Sequence, residues 1–267
     1  MLKDITLGQY FPIDSKLHRL DPRTKILMLL LDIILIFIAN SAVSYGLIIL
    51  FTAFIVKISK VPVKMYFKGL KPILFVIVFT AILNIFLTDG REIYFFGHSI
   101  GITVEGVLMA VKMALRLVIL IVSSCALTYT TSPMALTDGI EKLLKPLSKI
   151  GFPAHELAMM MSIAIRFIPT LIEETDKIIK AQQARGADFD TGSIFKRAKA
   201  LIPMLVPLFI SAFRRADELA VAMESRCYRG GDGRTKLKEI KFSKTDLGAS
   251  VVFLLFFILV ITLDIIL

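Results

Sequence analysis

At 267 residues and 56% hydrophobic, with a mean hydropathy of +0.75, the chain is far more apolar than the roughly 45–50% of soluble domains and holds several runs long enough to span lipid. The net charge of +10 falls largely in loops between apolar runs, as cytoplasmic loops of membrane proteins require, and no aromatic-interleaved basic stripe or recognition motif points to nucleic acid. Cys125 and Cys227 are the two cysteines, which excludes a disulfide framework and leaves no cysteine metal-ligand spacing.

Residues 1–25 carry Lys3, Lys16, Arg19, Arg23 and Lys25, and Pro12 and Pro22 break any helix. They fit neither a signal peptide nor a span, so the chain is expected to start in the cytoplasm. Asp21-Pro22 predicts a helix start, with Asp21 as the cap and Pro22 at the first helical position. Spans are expected over 25–39 and 42–56, parted by an outer turn at Asn40-Ser41. Lys57, Lys60, Lys64, Lys68 and Lys71 then come without an acid among them, which marks that side as cytoplasmic. A third span over 72–87 leads to an outer loop with Asp89 and Glu92, whose Ile93-Tyr94-Phe95-Phe96-Gly97 predicts a short hairpin or an aromatic interfacial anchor. The fourth span, over 103–128, returns inside and is stopped by Ser132-Pro133, because proline lacks the N–H and restricts its predecessor.

Residues 133–244 are expected to be cytoplasmic. Of these, 134–150 read as one amphipathic helix closed by Gly151 and Pro153. Leu157, Met160, Met161, Ala164, Ile168 and Leu171 open an apolar stripe at three- and four-residue spacing that ends at Ala184-Arg185-Gly186. After a polar turn over 188–193 a second stripe runs from Ala198 to Met223, is interrupted at Pro203 and Pro207, where a kink is expected, and ends at Ser225-Arg226-Cys227. Superposing Arg185 on Arg226 also lays Asp176 on Asp217 and Ala181 on Ala222. The run Gly230-Gly231-Asp232-Gly233 is a flexible turn, 234–244 is a basic return to the membrane, and a last span over 245–263 leaves the C-terminus outside. The expected fold is therefore an all-α integral membrane protein. About five transmembrane helices accompany a cytoplasmic coupling domain of one short and two long amphipathic helices, divided as 1–132, 133–244 and 245–267.

Enzymatic chemistry has little to stand on. His155-Glu156 begins a zinc-protease motif, but Met159 occupies the place of the second histidine. The glycine turn at 230–233 follows no strand and precedes no Gly-Lys-Ser/Thr, so it is not a phosphate loop. Asp32, Lys112 and Arg116 are charges within spans, each costing about 2.5–3.5 kcal/mol at a helix centre unless paired or wet. Counting from the predicted membrane edges puts Asp32 and Arg116 at similar depth, which predicts an ion pair between the first and fourth spans. The two arginine endings read in two ways. Arginine in a last turn with glycine after it is an ordinary helix cap; arginine is also suited to bidentate capture of a partner's carboxylate.

Over essentially its whole length the chain resembles the transmembrane T component of energy-coupling factor transporters, importers of vitamins and transition metals of the ABC class. The resemblance rests on Gly8-Gln9-Tyr10-Phe11-Pro12, on Leu17-His18-Arg19-Leu20-Asp21-Pro22-Arg23-Thr24-Lys25, and on the two Ala-Arg-Gly-type endings. Ala184-Arg185-Gly186 matches fully; at the second ending Ser225 stands for alanine and Cys227 for glycine, and a side chain there disfavours the left-handed cap. The resemblance implies a non-catalytic scaffold that binds no cofactor. ATP and Mg would be used by two partner ATPase subunits, each receiving one arginine, and a small membrane-embedded capture (S) subunit would hold the substrate. It implies a multi-pass protein of a prokaryotic plasma membrane with a cytoplasmic N-terminus. The rival readings are a stand-alone carrier and a membrane-embedded lipid or peptide enzyme.

Overall fold

The computed structural model describes residues 9–95, 98–187, 195, 201–230 and 242–266. The turn expected over 188–193, most of the Gly230–Gly233 turn and most of the basic return lie outside these residues, as do Gly8, Phe96, Gly97 and Ala198.

Local sequence sets most helix ends. Helix α1, Pro22–Ile38, starts where Asp21 accepts the Arg23 amide and Pro22 fills the first turn. Helix α2, Ala42–Ser59, is capped by Ser41 and closes on Lys60 in the left-handed conformation. Helix α3, Val63–Leu70, then a 3₁₀ turn at Lys71–Ile73, then α4, Leu74–Leu87, form the third span. The third span thus begins before residue 72, and Lys64 and Lys68 sit on α3 rather than in a loop. The proline at 72 falls in the 3₁₀ turn, where its missing N–H is tolerated. An antiparallel pair, β1 (Glu92–Phe95) and β2 (His98–Thr103), matches the hairpin expected there. Helix α5, Val104–Thr130, is capped by Thr103.

Helix α6, Pro133–Leu144, gives way to a 3₁₀ segment at Lys145–Ile150, so the single helix expected over 134–150 is two pieces. Pro146 is the cause, since it cannot continue the ladder. Helix α7 spans Ala154–Ala184, α8 spans Ile202–Ser225 and α9 spans Lys244–Ile266. Pro203 stands in the first turn of α8, where it is harmless, and Pro207 lies inside the helix.

Among the described residues, five helical stretches are long and apolar enough to cross a membrane: α2, Val63–Leu87, α5, α7 and α9. Their membership differs from the sequence expectation. With 17 residues, α1 is about 25 Å long, short of a typical hydrocarbon core. The long helix α7 qualifies through its apolar N-terminal half, while Glu173, Glu174, Asp176, Lys177 and Lys180 fill the other half.

Contacts divide the described chain into two compact units, 9–139 with 242–266, and 140–230. In the first, α1 and α2 each pack on α5 and on α9, a four-helix ring with α3 and α4 on its side. Leu35, Ile36, Tyr45, Ile48, Ile119 and Val260 close its axis near the Asn40 turn. Lipid offers apolar side chains the same environment as a neighbouring helix, so this packing draws on van der Waals fit rather than on escape from water. In the second unit α7 packs on α8.

Candidate functional site

The residues of α7 and α8 that meet define an antiparallel pair. Arg215 Nη2 donates to Glu174 Oε2 at 3.0 Å, the Ser211 hydroxyl donates to Glu174 Oε1, and Gln182 Nε2 reaches the Pro203 carbonyl. Those bonds to Ser211 and Arg215 hold the Glu174 carboxyl below the usual carboxylate range. Its partners on α8 lie 37 and 41 residues away and give no local signal in the sequence.

The two arginine endings share one backbone geometry. At the end of α7 the Gly186 amide donates to the Gln183 carbonyl and the Ala187 amide to the Gln182 carbonyl; at the end of α8 Cys227 and Tyr228 donate in the same pattern to Glu224 and Met223. Each is a Schellman cap, and each needs a left-handed residue after the arginine. Gly186 supplies φ +86° and Cys227 adopts +57°. The cysteine therefore takes the glycine conformation, at a cost of about 1–2 kcal/mol that the cap's hydrogen bonds must offset. A Cβ on Gly186 would touch nothing, so it is the backbone angle that favours glycine there.

Because the helices run antiparallel, Arg185 lies at the end of the pair near Pro203 and Arg226 lies at the other. From Pro203 to Arg226 is about 35 Å along α8. Both guanidinium-bearing residues are exposed, and among the described residues neither forms an ion pair. Arg226 lines a groove of about 700 Å³ with Arg166, Arg229, Met159, Phe167 and Met223, in which no acid takes part among the described residues. Sequence reading missed Arg166 and Arg229 as its companions, since only the antiparallel register brings Arg166 beside Arg226.

The predicted ion pair between Asp32 and Arg116 does not form. Arg116 donates to the Tyr45 hydroxyl at 3.0 Å and its guanidinium lies over the Phe37 ring, 5.2 Å from the centroid. Asp32 instead faces Ser123. Ser123 lies seven residues beyond Arg116 on α5, so the depth count was wrong by about 10 Å. Its error was to measure each helix from its own predicted edge: α5 begins well before the level at which α1 ends.

The N-terminal residues that carry the family resemblance have a structural role. The Phe11 amide donates to the Tyr129 carbonyl, and the His18 ring is held between two partners, Nε2–H donating to the Phe11 carbonyl and Nδ1 lying 2.7 Å from the Ser15 hydroxyl. Burial lowers the His18 pKa, and nearby Lys25 acts the same way. Lys25 donates to the Thr130 carbonyl, the Thr131 hydroxyl and the His18 carbonyl. Asp246 of α9 is almost wholly buried and accepts from the Asp21 and Ser243 amides at 2.7 and 2.8 Å. At the opposite end Asp264 accepts from the Asn40 and Ser41 amides and the Ser44 hydroxyl, a carboxylate set on the N-terminus of α2. Sequence reading did not single out Asp246 or Asp264, whose partners at the starts of α1 and α2 are more than 200 residues away.

Among the described residues no group of three or more His, Cys, Asp and Glu side chains could hold a metal ion. His155 pairs with Glu141, Nδ1 to Oε1 at 3.1 Å.

The helices and their apolar lengths define an all-α, multi-pass membrane protein. A family model described as cobalt transport protein matches residues 14–237. The chain is 57% identical over 262 residues to the energy-coupling factor transporter transmembrane protein EcfT of Ruminiclostridium cellulolyticum, covering 97% of this chain and 98% of that one. It is 59% identical over 251 residues to EcfT of Clostridium kluyveri, with 94% and 93% covered, and 48% identical over 246 residues to EcfT of Bacillus subtilis, with 92% and 93% covered. The chain belongs to this family, the transmembrane component of energy-coupling factor transporters.

Proposed function

We propose that this chain is the coupling subunit of an ATP-driven importer, carrying conformational change from two ATPase subunits to a membrane-embedded capture subunit that binds a vitamin or a transition metal. The observation that carries this is the pair of arginine endings: the same Schellman cap at opposite ends of one antiparallel helix pair, about 35 Å apart along α8, each arginine without an acid of its own among the described residues. Planar, always charged guanidiniums held on rigid helix ends suit capture of carboxylates on two separate partner subunits. A force applied at either end moves both helices, because Glu174 ties them.

In this reading Ala184, Arg185 and Gly186 dock one ATPase, and Ser225, Arg226 and Cys227 dock the other. Exposed apolar residues of the pair, among them Met160, Phe209 and Phe213, are a surface of a kind that meets a partner subunit. The chain would bind no cofactor, with ATP and Mg confined to the ATPases. The end of the bundle carrying Lys16, Arg19, Lys57, Lys60, Lys64 and Lys68 would face the cytoplasm across a prokaryotic cell membrane, with the N-terminus on that side. Here α1 is read as a span despite its length, since a short helix is accommodated by local thinning and snorkelling, and α7 as part of the cytoplasmic coupling unit, residues 133–244.

The test is co-purification and uptake with Arg185→Ala, Arg226→Ala and the double variant. Each single change is expected to weaken ATPase attachment by about 2–5 kcal/mol if the partner carboxylate becomes buried, and the double variant to abolish transport. Normal assembly and transport in the double variant would end the proposal.

A further inference from the structure

The four-helix ring is packed in one half and hollow in the other. Where Leu35, Tyr45, Ile119 and Val260 close the axis, the interior is filled. Toward the lysine-rich end its place is taken by a cavity of about 920 Å³. The walls are in register. Asp32, Phe51, Ser123 and Phe253 form the floor, one from each helix, and Lys25, Ile58, Thr130 and Thr245 stand near the mouth. Those layers are seven or eight residues apart on every helix, about 10–12 Å. The space exists because Ala126, Gly248 and Ala249 line it without bulk; a Cβ on Gly248 would meet nothing within 4 Å.

Protein interiors hold few voids larger than a water molecule, since an empty apolar space forfeits the contacts of its lining. Water is a poor filler for walls made chiefly of Met28, Leu29, Phe54, Ile55, Leu127 and Val252. The occupant is thus apolar along its length. Its outer end meets cations: exposed Lys16, which forms no ion pair among the described residues, and Arg19, already paired with Asp14. The cavity depth approaches the roughly 15 Å of hydrocarbon in one leaflet.

We propose that this half-cavity is a binding site for one anionic phospholipid of the leaflet at the lysine-rich end, an acyl chain filling the space and the phosphate resting on Lys16. The floor has its own logic. Asp32 Oδ1 and Ser123 Oγ are buried without hydrogen-bond partners, and Asp32 faces Ser123. One bridging water would satisfy both, so the chain end needs no polar group. The proposal rests on the membrane placement of the bundle and not on the coupling role of α7 and α8, so either can fail alone.

The experiment uses the complete transporter complex in nanodiscs of phosphatidylcholine, with or without phosphatidylglycerol. Retained lipid is read by native mass spectrometry and thermal unfolding by fluorescence. One phosphatidylglycerol per chain is expected, with a higher Tm in its presence. Gly248→Leu should fill the space and lower retention about tenfold, the effect of displacing two methylenes, without lowering the Tm in phosphatidylcholine alone. Ala249→Val is the milder second variant, expected to act in the same direction should Gly248→Leu fail to fold. Lys16→Glu should keep a lipid bound but lose the preference for the anionic one, and Asp32→Leu should leave retention unchanged. Undiminished retention in Gly248→Leu or Ala249→Val, or no retained lipid in the parent complex, overturns the proposal. So does loss of the lipid in Asp32→Leu, which would mean a polar ligand, or a cross-link from Gly248→Cys to another subunit, which would put a protein segment there.

Discussion

In the membrane bundle the ends of α1, α2 and α9 are tied by side chains from distant parts of the chain: Lys25 to the end of α5, Asp246 to the start of α1, and Asp264 to the start of α2. Helices α7 and α8 meet instead through a half-exposed knot at Glu174, with a long bond from Gln182 beside it, and α8 has no buried residue. Charged groups with their bonds made inside a bundle over-determine its geometry, because breaking any one strands a partner away from water. A thin pair with one surface knot is free to change its crossing. The contrast teaches that the polar residues of this chain concentrate stability in the membrane bundle and leave the α7–α8 pair held by few bonds.

Four experiments break or sharpen that contrast. Asp246→Ala should have the largest effect, lowering bundle stability by about 3 kcal/mol because it strands the Asp21 and Ser243 amides and takes from Lys25 one of its two neighbouring carboxylates; thermal unfolding in detergent reads it. Glu174→Gln should cost no more than about 1 kcal/mol, the scale of a partly exposed ion pair, yet change how α7 and α8 cross, which spin-label distances between the two helices would report. An effect as large as that of Asp246→Ala would remove the contrast.

The two caps give a smaller, paired test. Gly186→Ala should destabilise the end of α7 by about 1 kcal/mol, while Cys227→Gly should stabilise the end of α8 by several tenths, since glycine reaches positive φ without strain but loses more entropy on folding. Amide hydrogen exchange at Ala187 and Tyr228 measures both. Equal responses at the two ends would mean that the cysteine is not strained.

Acid should separate the units last and most gently. The His18 pKa is depressed in the folded chain, so the bundle contributes this stability fully above the ordinary histidine value of about 6.5 and loses it as pH falls below that value. The depressed Glu174 carboxyl contributes stability above its ordinary range, near 4.5, and loses it only as pH falls further. Hydrogen exchange at pH 7, 5.5 and 4 should therefore show the N-terminal strap loosening before the helix pair, and the reverse order would contradict the assignment.

Much of this protein could be read without coordinates. Hydropathy and the lysine run at 57–71 mark spans and their basic side, because lipid penalises unpaired charge over any stretch long enough to cross it. Asp21-Pro22 announces a helix start, since a cap is satisfied by its own neighbours. The recurrence of arginine between small residues is likewise visible in the chain. What lay beyond the sequence are quantities that depend on how helices slide past each other. Periodicity tells which face of a helix is apolar and says nothing of its axial offset from a neighbour, so the predicted Asp32 and Arg116 pair failed by about two turns of α5. The same kind of offset sets Arg166 beside Arg226 and parts Arg226 from Arg185. Cys227 reaching the glycine conformation shows that even a local cap can defeat residue preference, because a strain of about 1–2 kcal/mol is offset by the cap's own hydrogen bonds to Glu224 and Met223.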